Sequence, residues 1–176
     1  MKTGIKRKAR LTEFTIRQYG VNGAIMAALF VFGLYLSASL STFALLLYVL
    51  LWVASFVLIH ATTCRHCAYY GKQCPVPLEG SCSHLLFERG SNFGVMAGLG
   101  GLLAYVLRVC IPYVAIFHMG SLWIFVLYTG LIAIFFYVLL YHTGCPNCIS
   151  TKCPMNPDYG AGWPVDGIGH RSKVHE

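Results

Sequence analysis

All but one of the 8 cysteines fall in two short segments. The first carries Cys64, Cys67, Cys74 and Cys82; the second carries Cys145, Cys148 and Cys153. In each, a C-x2-C pair is followed by a later cysteine and then a proline, at Cys74-Pro75 and Cys153-Pro154. A C-x2-C pair puts two thiolates on one turn, within reach of a single metal ion. Two such pairs brought together supply a four-thiolate site; alternatively, Cys74 and Cys153 complete two separate three-thiolate sites. His60 and His142 precede the two pairs, and His66 and His84 lie in the first segment. These histidines are available as further ligands or as donors behind the ligands. The candidate metal ligands are thus Cys64, Cys67, Cys74, Cys82, Cys145, Cys148, Cys153, His60 and His142. A single buried cysteine is commonly inert, but a doubled pattern on polar segments points to metal.

Zinc would take four ligands tetrahedrally and staple the loops. A cubane iron–sulfur cluster also takes four thiolates. A cluster at a bilayer surface can trade electrons with a lipid-soluble quinone, which puts iron–sulfur ahead of zinc. Thiol–disulfide exchange and soft-metal handling are the third chemistry open to such pairs. No phosphate-cradling glycine loop and no hydrolase triad is recognisable, so the residues name no enzymatic reaction.

The elements that position these cysteines belong to a membrane. Of the 176 residues, 57% are hydrophobic and 11% charged, whereas a soluble domain carries about 25% charged residues. Four apolar stretches, residues 21–36, 42–59, 93–117 and 122–141, approach or exceed the ~20 residues that cross a bilayer. Lipid satisfies no backbone polar group, so all four should be helices. Residues 37–41 and 118–121 are the short connections of two hairpins. Of the 13 Lys and Arg, all except Arg108 lie in the first 20 residues, between spans two and three, or in the tail. That asymmetry places both termini and both cysteine segments in the cytoplasm, in a multi-pass protein of the inner cell membrane. Thiols there are kept reduced. The charge of +7 is accordingly a topology signal, and nucleic acid is not an expected partner. The expected surroundings are the lipid bilayer and either a redox partner protein or a second copy.

The fold class is therefore an all-α membrane protein, four transmembrane helices as two duplicated hairpins with cysteine-rich cytoplasmic loops. Its parts are a basic arm (1–20), hairpin one (21–60), a cysteine loop (61–92), hairpin two (93–142) and a cysteine tail (143–176). Duplication is suggested because each hairpin ends in a histidine, a C-x2-C pair, a later cysteine and proline. Residues 5–19 should form either an interfacial helix or a flexible basic arm. Gly94, Gly98 and Gly101 form a small-residue stripe, with Gly100 beside it and Gly23 and Ala27 as the counterpart on span one. Tyr69, Tyr70 and Trp163 fit an interfacial aromatic belt. Arg108 is costly at depth, and no acidic residue lies in the spans to pair with it. It is a candidate cofactor-binding residue for an anionic or carbonyl-bearing ligand such as a quinone, or it bonds carbonyls freed by Pro112.

Cys64-Arg-His-Cys-Ala-Tyr-Tyr-Gly-Lys-Gln-Cys74 and Cys145-Pro-Asn-Cys-Ile-Ser-Thr-Lys-Cys-Pro-Met-Asn156 resemble the motifs of a group of small prokaryotic four-span membrane proteins. Those share C-x2-C-x-Y-Y-G-x2-C and C-x2-C-x4-C-P-x-N. The resemblance implies a membrane protein with a cysteine site and adds no reaction. Quinone-dependent disulfide-forming membrane proteins are similar in size and span number. Their cysteines, however, stand in the loops within the hairpins, where this chain has none.

Overall fold

The computed structural model describes residues 5–90, 95–151, 153 and 156–158. Its helices are α1 (Ile16–Leu40), α2 (Thr42–Thr62), α3 (Ser83–Leu86), α4 (Val95–Met119) and α5 (Leu122–Tyr137). A π-helical turn, Val138–Thr143, prolongs α5, and 3-10 turns occupy Cys64–His66 and Cys145–Asn147. Four of these elements are long and apolar enough to cross a membrane. Their outer surfaces present large apolar side chains such as Phe43, Leu50, Val53, Leu127 and Ile134, which water would not tolerate in such density.

The expected five-residue connection at 37–41 shrinks to one residue. Ser41 has extended backbone and its N–H donates to Ser37 O, closing α1. Its hydroxyl then accepts from Ala44 N–H, 3.0 Å, and caps α2. At the other hairpin α4 continues to Met119. Gly120 takes φ 62°, and its N–H returns to Ile116 O at 3.0 Å. That left-handed position is one glycine fills without a steric penalty.

Helix α2 lies against α1 and α4 over much of their lengths, whereas α5 leans mainly on α1. The core joins Leu29 and Leu36 of α1, Ala115 and Ile116 of α4, Tyr128 and Phe135 of α5, and Val76 from the cysteine loop. The phenol end of Tyr48 of α2 sits against Gly33 of α1, where a Cβ would collide with it. Its hydroxyl donates to Phe30 O, 3.2 Å.

The glycine stripe works differently from expectation. Gly98 has open space where a side chain would stand, and Gly94 lies outside the described residues. Gly100 and Gly101 instead receive Thr62 and Thr63 at the end of α2. Thr63 Oγ1 donates to Ala97 O of α4, 2.6 Å. Gly23 faces the ring of Pro77 in the loop, and Ala27 is exposed. The small residues thus admit a helix end and a loop, because the loop between α2 and α4 must dive between the helices.

Gly100→Ala should drive a methyl into Thr62 and cost about 1–3 kcal/mol, read as a lowered Tm in detergent. Gly98→Ala, with nothing in the way, should leave Tm unchanged or raise it slightly.

Candidate thiolate centre

The two C-x2-C pairs adopt one backbone conformation. Each lies on a 3-10 turn in which the second cysteine's N–H donates to the first cysteine's carbonyl, 3.1 Å for Cys67 to Cys64 and 3.3 Å for Cys148 to Cys145. Each then leaves in extended backbone, Cys67 at φ −79°, ψ 154° and Cys148 at φ −77°, ψ 138°. Two residues on, a backbone N–H returns to sulfur: Ser150 N–H to Cys148 Sγ at 3.4 Å, and likewise Tyr69 to Cys67. Cys74 receives a backbone hydrogen bond from Gly80. Such donors stabilise a thiolate and orient its lone pairs.

Six thiols from the two halves of the chain gather at one end of the bundle. Cys64 lies within electrostatic reach of Cys67 and Cys74. Cys67 in turn is within reach of Cys74, Cys148 and Cys153, and Cys145 of Cys148 and Cys153. Burial pushes the Cys67 thiol well up, the Cys148 thiol up, and the Cys74 thiol up to about 12. None of the cysteines is in a disulfide. Among the described residues, no three Cys, His, Asp or Glu side chains already stand in metal-ligating geometry. The donor set nonetheless suits a soft cation. Its thiols are clustered, served by N–H donors, and held protonated by burial that a cation would counteract.

The remaining candidates are placed elsewhere. Cys82 stands at the start of α3, its N–H on Leu78 O. His60 is fully buried in the bundle, with Nδ1 2.6 Å from Phe56 O, and it faces Glu79. His142 is exposed on the π-helical turn beside the Tyr137 ring. Superposing the cysteine pairs in sequence puts Tyr141, not His142, opposite His60. Thr143 then falls opposite Thr62. Both threonines hydrogen-bond back along their helices, Thr62 to Leu58 O and Thr143 to Val138 O, with one extra residue spanned in the π turn.

Three parts of the site escaped the sequence reading. Tyr69 belongs to no aromatic belt. It is 2% exposed, its hydroxyl donates to Leu11 O at 2.6 Å, accepts from Ile149 N–H, and stands beside the Cys148 sulfur. Tyr70 donates to Phe87 O, and Trp163 lies outside the described residues. Of residues 5–19, Ile16 to Tyr19 open α1, and residues 5–14 are neither an interfacial helix nor a loose arm. They run without helix across both cysteine loops, with Lys8 and Leu11 N–H on Pro146 and Asn147 carbonyls and Phe14 N–H on Gln73 O. Phe14 is buried against Tyr69, ring centroids 5.3 Å apart. Arg7 donates to Cys148 O (2.6 Å), Asn156 Oδ1 (2.7 Å) and Asp158 (2.6 Å), and Arg10 joins the same carboxylate. Burial opposes the Asp158 charge, but the two arginines outweigh it and hold the carboxyl below its usual range. Asn156, last residue of the second motif, donates to Cys148 O at 2.9 Å.

The third part corrects the expectation that Arg108 has no acidic partner. Glu79, from the cysteine loop, reaches it: Arg108 Nη2 lies 2.9 Å from Glu79 Oε1, with both side chains buried. Gly100 marks the level of the last turn of α2 through Thr62, so Arg108 lies about 12 Å deeper along α4. Arg108 Nε donates to Ser55 Oγ at 3.0 Å, and the rings of Trp52 and Tyr105 flank the guanidinium at 5.0 and 4.9 Å. Burial pushes the Glu79 carboxyl up, and Arg108 and His60 oppose that rise. The loop descends through Asn22, whose Nδ2 donates to Pro75 O (2.7 Å) and Thr143 Oγ1 (2.8 Å). Leu78, at φ 67°, turns outward, which sends Glu79 inward. Gly80 then packs so tightly on Lys72 O and Tyr69 O that no side chain fits. Irregular backbone at this depth is tolerable because protein surrounds it.

Glu79→Ala should leave Arg108 buried without its carboxylate and cost about 3–5 kcal/mol. Adding Arg108→Met should recover most of the lost Tm, because an apolar pair needs no partner.

No family model, curated protein or solved structure matches this chain.

Proposed function

We propose that Cys64, Cys67, Cys74, Cys145, Cys148 and Cys153 hold a metal–sulfur centre, and that the protein passes electrons between a soluble partner and a carrier in the bilayer. One observation carries this reading. Two C-x2-C turns of the same conformation, one from each half, stand at one face, with Cys67 of the first within electrostatic reach of Cys148 and Cys153 of the second. Four thiolates satisfy a cubane cluster, and six leave the chain a choice of ligands. When bound, iron–sulfur would supply one-electron chemistry at this face. The chain's own residues do the rest. N–H groups of Tyr69, Gly80 and Ser150 support thiolate charge. Arg7 adds positive charge where Cys148 turns. The N-terminal arm and Tyr69 cover part of the cysteine face. The Lys and Arg distribution supports a cytoplasmic position for this face, in an inner-membrane protein. The matching order of the two halves is that of a duplicated hairpin, and the protein could serve as a subunit of a larger complex.

A zinc staple is the second reading. It is favoured by the way the arm and both loops, each too small to fold alone, meet at the cysteines. Thiol–disulfide exchange is the weakest, because buried thiols pushed above their ordinary value supply little thiolate at neutral pH.

Anaerobic purification in mild detergent, followed by metal and sulfide analysis and EPR, separates these readings. The proposal predicts iron with acid-labile sulfide and a paramagnetic signal that appears on reduction or oxidation. Zinc alone would overturn it in favour of the staple. A metal-free protein with all thiols titratable would overturn both.

A further inference from the structure

Beside Arg108 the helices leave a cleft of about 160 Å³. Its wall is apolar and rich in rings: Trp52 of α2, Tyr105 of α4, and Tyr128, Phe135 and Phe136 of α5. Val106, at its edge, is 49% exposed on the outer surface of α4, so the cleft opens where lipid would lie. Arg108 is the one charged residue among the described residues that line it.

Arg108 is held on three sides. Nε serves Ser55, Nη2 pairs with Glu79, and the guanidinium carbon lies over the rings of Trp52 and Tyr105. Nη1 is buried and has no hydrogen-bond partner. A buried donor left unpaired costs about 1–3 kcal/mol, more when charged. The chain has therefore fixed a guanidinium beside the cleft with one of its nitrogens, Nη1, still without an acceptor. An occupant must be mostly apolar to enter from lipid, flat enough to lie among rings, and equipped with an accepting oxygen.

We propose that this cleft binds the ring head of a lipid-soluble carbonyl compound of the quinone class, with Arg108 Nη1 donating to a ring oxygen and the aromatic wall packing on the ring. The inference deepens the electron-transfer reading by naming the bilayer carrier, and rests on that reading for purpose but not for binding. The cleft is also joined to the thiols by a short run of contacts. The Cys74 sulfur is bonded by Gly80, its chain neighbour Glu79 pairs with Arg108, and Arg108 lines the cleft.

The test uses the full chain in lipid nanodiscs. The sequence has 3 tryptophans; Trp123→Phe with Trp163→Phe leaves Trp52 as the reporter in the cleft wall. Titration with a short-tailed benzoquinone should quench Trp52 saturably. Val106→Phe, which narrows the mouth without touching the ion pair, should weaken binding at least tenfold. The double variant Glu79→Gln, Arg108→Gln, which removes both charges together, should weaken it similarly. Quenching that rises linearly without saturation, or saturable binding untouched by Val106→Phe and by the double variant, overturns the proposal. Equal competition by a saturated fatty acid assigns the cleft to an acyl chain and also overturns it. Metal analysis of the same samples separates the two readings. A metal-loaded protein without saturable quenching sinks the cleft alone, whereas saturable quenching in a metal-free protein upholds the cleft and sinks the electron-transfer reading.

Discussion

The buried ion pair between Glu79 and Arg108 is the constraint around which the molecule is arranged. Neither charge is tolerable alone within an apolar bundle, since an uncompensated buried charge costs several kcal/mol. Arg108 is fixed in α4 by covalent position, so the carboxylate has to come to it. The loop between α2 and α4 is therefore drawn into the bundle rather than spread over its end. Val76 joins the helix core, Pro77 uses the space left at Gly23, and Leu78 accepts a left-handed backbone so that Glu79 can point inward. The pair costs desolvation and returns specificity, because a register in which the loop stayed outside would strand Arg108.

That descent also sets the thiols. Glu79 is followed by Gly80, whose backbone bonds the Cys74 sulfur and whose lack of a side chain lets Lys72 and Tyr69 close over it. Asn22 ties the same loop to Thr143 at the end of the other hairpin. The second cysteine turn follows directly, so the clamp on Thr143 fixes its distance from the first. The N-terminal arm then crosses both loops, with Arg7 answering the carbonyl of Cys148 and the side chain of Asn156. A charge deep in the bundle and a cysteine face at its end are thus one mechanical unit.

The four helices were legible because apolar runs of this length have no other stable state in lipid, although α1 begins five residues before and ends four residues after the expected 21–36. The doubled C-x2-C spacing was legible for a local reason: two cysteines three apart on a tight turn must share a side. Glu79 was not, because an acid in a Pro77-Leu-Glu-Gly80 run has the composition of a solvated loop, and its partner lies 29 positions away in another element. Tyr69 carried the signature of an interfacial aromatic, and only the path of residues 5–14 shows that its hydroxyl is enclosed. That arm has no apolar period, since its order comes from backbone hydrogen bonds to two distant loops. The spacing of Gly98 and Gly101 promised a helix contact. Which glycines are used, however, is decided by where α2 ends, and that sets Thr62 on Gly100.

The central claim is that both halves of the chain build one thiolate centre. It is tested most directly by counting metal per chain after one triad is removed, Cys145→Ser, Cys148→Ser and Cys153→Ser together, in protein that keeps its helical circular dichroism. A shared centre predicts that nearly all bound metal is lost. Retention of half the metal would mean two independent sites, one on each loop, and would contradict the account.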